Sequence, residues 1–74
     1  MKNNNQYILS KECVIIMHTE SLLDFLDYIL KNVNPEEPDI DNYKVTEIDF
    51  KLNSITNVPL PIFMSVIQLA LGEL

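Results

Sequence analysis

The chain has 74 residues, 47% of them apolar, with eleven carboxylates against five lysines and a net charge of −6. One domain is the most this length can make, burying about 60–65% of its unfolded surface, and a mean hydropathy of +0.08 excludes a disordered acidic tail. With no arginine, a pI near 4.4, one cysteine and one glycine, the composition argues against direct nucleic-acid binding and excludes an intramolecular disulfide, a cysteine-based zinc site and a glycine-rich phosphate loop.

Residues 1–6 are polar and read as a flexible N-terminus, with 7–74 as a single domain. The longest early apolar run, Cys13 to Met17, is too short for a signal-peptide core. No stretch approaches the ~20 apolar residues that span a bilayer, so a cytoplasmic protein with no membrane association is expected. Frequent Asn and Ile with scarce Gly and absent Arg point to AT-rich codons, as in a low-GC bacterium or its phage.

Tyr7 to His18 reads as strand, and β-branched Val14-Ile15-Ile16 suits a strand buried on both faces. A bend at Ser10-Lys11-Glu12 would divide it into two. Thr19-Glu20-Ser21 then introduces a helix, with Ser21 and Asp24 spaced as a variant capping box. The helix runs to about Asn32 or Val33, before Asn34-Pro35. Residues 34–42 form a loop holding two prolines and four acids.

From Lys44 to Ile55 the pattern alternates, with Ile48, Phe50 and Leu52 on one side and Glu47, Asp49 and Lys51 on the other. That is the pattern of a half-buried strand. Pro59 and Pro61 suit the first turn of a second helix over about 60–72, with Gly72 as its C-terminal cap. The expected fold is α+β in the order β(β)αβα, a two- or three-stranded sheet with both helices on one face. The βαβ order allows a parallel strand pair, and no repeat relates the two β-α halves.

Both helices have a narrow polar stripe: Asp24, Asp27 and Lys31 in the first, Ser65, Gln68 and Gly72 in the second. The rest of each circumference is apolar, more than a two-layer domain needs to cover. A homodimer seam at Ile62, Phe63, Val66, Ile67, Leu69 and Ala70 accounts for the surplus. A membrane-surface role is disfavoured, since the second helix carries no Lys or Arg on its polar face.

No residue set supports catalysis. Cys13 and His18 fall on opposite sides of an unbroken strand, which makes the thiol a core residue and the histidine a strand-end residue. Asp39-Ile40-Asp41 begins like a calcium loop, but Tyr43, Lys44 and Phe50 stand where a ligand, the glycine and the glutamate belong. Asp24 and Asp27 lie on a wet helix face beside Lys31, not in an apolar cleft. No metal, cofactor or enzyme activity is therefore expected.

The distribution of charge remains. Seven carboxylates between Glu20 and Asp41 face Lys31 alone, and the other four acids and four lysines cancel. A field confined in this way steers positively charged partners. The expected function is binding, and inhibiting or neutralising, a partner protein with a basic surface through Asp24, Asp27, Glu36, Glu37, Asp39 and Asp41. Phage-encoded inhibitors and immunity-type proteins are of this kind. The alternative is a small-molecule module with an apolar pocket between the helices or at a dimer seam.

Overall fold

A computed structural model describes residues 5–34 and 36–72. The chain runs β1 (Gln6–Lys11), β2 (Val14–Thr19), α1 (Leu22–Asn32), a 3-10 turn (Ile40–Asn42), β3 (Tyr43–Asp49), β4 (Ser54–Pro59) and α2 (Leu60–Gly72). The expected α+β class holds, but the sheet has four strands in the order β2-β1-β3-β4. Every hydrogen-bonded pair is antiparallel. The parallel strand pair that the βαβ order allowed does not form: β2 and β3 point the same way, but β1 lies between them.

Two hairpins account for the extra strands. Glu12 and Cys13 form the β1–β2 turn with φ of 51° and 71°, the positive values a two-residue hairpin loop requires. The bend thus falls after Lys11, and Cys13 is exposed rather than part of the core. The expected single strand over Lys44–Ile55 breaks at Asp49, whose Oδ1 accepts from the backbone N–H groups of Lys51 (3.0 Å) and Leu52 (3.1 Å). Asn53 completes this turn at φ 55°, a conformation asparagine tolerates better than most residues.

These turns reverse two burial expectations. Val14 and Ile15 stand 64% and 65% exposed, because β2 is the outer strand of the sheet and not an interior one. In β3 the helix-covered side carries Tyr43, Val45 and half-buried Glu47, while Ile48 takes the opposite face. Phe50 and Leu52 lie exposed in the turn. Alternation separates two faces, but the helices determine which is covered.

Both helices pack on one face of the sheet. Leu9 (β1), Val45 (β3), Phe25, Ile29 and Val33 (around α1), and Leu60 and Phe63 (α2) form one buried cluster with Tyr43. Phe25 meets Phe63 edge-to-face at 5.6 Å and Tyr7 at 5.7 Å, tying the helices to each other and to β1. Topologically the chain is two ββα units joined along the β1–β3 seam. Leu22, Phe25 and Ile29 in α1 recur as Leu60, Phe63 and Ile67 in α2, a correspondence the expectation of no repeat overlooked.

Candidate functional site

The acidic segment divides at the end of α1. Ser21 caps the helix, its Oγ accepting from Asp24 N at 3.2 Å, and holds Asp24 in the first turn, where the helix dipole favours an anion. Asp24 and Asp27 are both exposed. Lys31 pairs with Asp27 at 3.1 Å, the i,i+4 spacing at which helix surfaces bring opposite charges together. Asp24 is thus the uncompensated carboxylate of the α1 stripe among the described residues.

The loop after α1 is folded upon itself. Asn34 Oδ1 accepts from Glu36 N (3.0 Å), Glu37 Oε1 accepts from Asn34 N (3.2 Å), and Ile40 N donates to the Glu37 carbonyl (3.2 Å). Asp39 then pairs with Lys11 at 2.7 Å, and the Lys11 ammonium lies 4.9 Å from the centre of the Tyr43 ring. That mutual hydrogen bond lowers the Asp39 carboxyl below its ordinary value and raises Lys11 above its own. Tyr43 also reaches Glu37 at 3.5 Å, the long limit for a hydrogen bond. Asn42 ties the other end down, its amide donating to Glu12 Oε2 (3.2 Å) and its carbonyl accepting from Glu12 N (3.4 Å).

The six acidic residues therefore have different places. Asp39, Glu37 and Asp27 have partners within the chain. Glu36 and Asp41 are exposed on the loop, Asp24 is exposed on α1, and none of these three makes an ion pair among the described residues. Lys11 and Tyr43 hold the loop, and sequence reasoning did not select them. Lys11 stands 28 residues before Asp39, and only the β1–β3 register, which sets Lys11 opposite Tyr43, reveals the cluster.

The residues assigned to a dimer seam also divide. Phe63 is 8% exposed and belongs to this chain's own core, and Ile67 packs against it. Ile62, Val66 and Leu69 stand 53%, 56% and 66% exposed, and Ala70 is exposed beside them. Ile62, Val66 and Leu69 repeat at i, i+4, i+7 and so form an outward stripe.

Two apolar grooves flank α2. One of 340 Å³ lies between the helices, lined by Ile29, Leu30, Val33, Ile40, Leu60, Pro61, Met64 and Gln68. The other, 230 Å³, lies between α2 and β4, with Glu47 and Thr56 among its walls.

Cys13 and His18 occupy the hairpin turn and the far half of β2, where His18 Nε2 bonds Gln6 Oε1. Four strand residues lie between them, so five extended steps set them about 16 Å apart, too far for a nucleophile and its base. Among the described residues no three His, Cys, Asp or Glu side chains cluster as metal ligands, and no helix is long and apolar enough to cross a membrane. No family model matches the chain, and neither the curated proteins nor the solved structures provide a match.

Proposed function

We propose that this protein is a non-enzymatic interaction module that engages a basic surface of a partner protein and, by occupying it, inhibits or neutralises that partner. The observation carrying this reading is the Lys11–Asp39–Tyr43 clamp, which fastens an acidic loop to the sheet while Glu36 and Asp41 stay outward. A fixed array of charge loses little conformational freedom on binding and speeds encounter with a complementary surface. An exposed free thiol at Cys13 suits a reducing, cytoplasmic setting, where it resists conversion to intermolecular disulfides.

Capture on the immobilised protein, from lysate of the organism that encodes it, tests the reading. E36Q/D41N should strongly reduce the capture that wild-type protein makes at low salt, while D39N should weaken it by loosening the loop. Equal capture by wild type and E36Q/D41N at low salt would contradict the electrostatic basis.

The same module is proposed to be a homodimer joined along Ile62, Val66, Leu69 and Ala70. Sedimentation should show a dimer that Val66→Glu converts to a folded monomer. A wild-type monomer at every concentration would rule the seam out. The groove between the helices favours a second reading, a module for a small apolar molecule, since its volume lies at the low end of the ~300–1,000 Å³ range of ligand pockets. Gln68 is the single polar side chain in its lining, so little there would orient such a ligand.

A further inference from the structure

We propose that the groove between α1 and α2 receives a basic amphipathic helix of the partner, its apolar face lying in the groove and its cationic residues reaching the carboxylates on the rim. This rests on the interaction-module reading and specifies the partner segment that the module binds.

The groove floor is apolar, formed by Ile29, Val33, Leu60 and Met64. Its α1 edge extends beyond the cavity itself. Leu30 lines the groove yet is 73% exposed, and Leu23, seven residues earlier on the same flank, is 77% exposed. Two leucines spaced two turns apart and open to water form a track along the helix. An amphipathic helix presents anchors at the same i, i+3/i+4, i+7 spacing. A compact small molecule in the cavity would leave Leu23 uncovered.

Charge selects the sign of the partner. Asp27 lies between Leu23 and Leu30 on α1, and Ile40, at the loop end of the groove, is flanked in sequence by Asp39 and Asp41. Lys31 pairs with Asp27 and Lys11 with Asp39, which leaves Asp41, next to Ile40, and Glu36, earlier in the same loop, exposed and without an ion pair among the described residues. A fatty acid or an acidic peptide would bring like charge to this rim, at an electrostatic cost. A helix with leucines on one face and lysines on the other meets both the track and the rim.

A 16-residue Leu/Lys amphipathic peptide is the probe, titrated against the full chain and followed by peptide fluorescence anisotropy and by amide NMR shifts. Its scrambled isomer and a Leu/Glu version serve as controls. The amphipathic Leu/Lys peptide should bind, shifting the amides of Leu30, Ile40 and Met64, and L23Q/L30Q should weaken it about tenfold or more. Both leucines are exposed, so these substitutions leave the core intact, and Leu52→Gln on the distant turn should change nothing.

Equal binding of the scrambled isomer, or an unchanged affinity in L23Q/L30Q, would overturn the groove assignment while leaving the acidic reading intact. Equal binding of the Leu/Glu peptide would instead remove the acidic reading and keep only an apolar groove. Self-association lost in L23Q/L30Q would assign the groove to a second copy, and a thermal shift with metabolite extract but none with peptide would assign it to a small molecule. Either outcome overturns the proposal.

Discussion

Lys11 connects the acidic loop to the sheet. Its partner Asp39 has a lowered pKa, so the pair stabilises the fold above the ordinary carboxylate value of 3.8, and that contribution disappears as pH falls through the depressed value. The raised pKa of Lys11 sets the other limit. Its contribution is complete below 10.5 and is lost as pH rises through the raised value. D39N should therefore melt below wild type at pH 7, with the gap closing under acid. A gap that stays constant down to pH about 2 would contradict the clamp. At the β1–β2 turn the prediction has the opposite sign. Cys13 sits at φ 71°, where a side chain costs energy and glycine does not, so Cys13→Gly should stabilise by about 1 kcal/mol in chemical denaturation. The clamp was not legible in the sequence, and the turn only as a bend at Ser10-Lys11-Glu12, slightly early in the chain. Lys11 acts through a contact 28 residues away, and Glu12-Cys13 lacks the Asn-Gly signature of such a turn.

The helices were more legible than the strands because their signals are local. Ser21 at the cap and Asn34-Pro35 beyond the end bracket α1, and the observed bounds, Leu22–Asn32, agree. Ser21→Ala should cost about 1 kcal/mol, read from the urea midpoint. The strands depend on distant partners. Val14-Ile15-Ile16 has the composition of an interior strand, yet β2 takes the sheet edge because β1 is already paired on its other side by β3. An uncharged, apolar edge is prone to intermolecular pairing. Ile15→Lys should reduce aggregation on heating while leaving the melting temperature nearly unchanged, as scattering and circular dichroism together would show. In the sequence, Glu47 looked wet and Ile48 inward, a reversal the helices impose by covering the Val45 side.

At the scale of the whole molecule, stability rests on few residues. Leu9, Phe25, Val45 and Leu60 are the most completely buried side chains, and a chain of this length has only about 4–11 kcal/mol of total stability. Phe25→Ala removes the ring that touches both Tyr7 and Phe63 and should cost about 3–5 kcal/mol, enough to leave a large unfolded fraction by circular dichroism. The acidic surface is a property of the same scale. The charge segregation was plain in the sequence, but its division into held and outward carboxylates appears only once the loop is folded against β1 and β3. That division makes the central claim testable with two substitutions that spare the clamp. The most direct measurement is the association rate of the captured partner with wild type and with E36Q/D41N, from about 50 mM to about 500 mM salt. The account predicts a steep fall with salt for wild type and a slower, nearly salt-independent association for the variant. Equal rates for the two proteins at every salt concentration would contradict it.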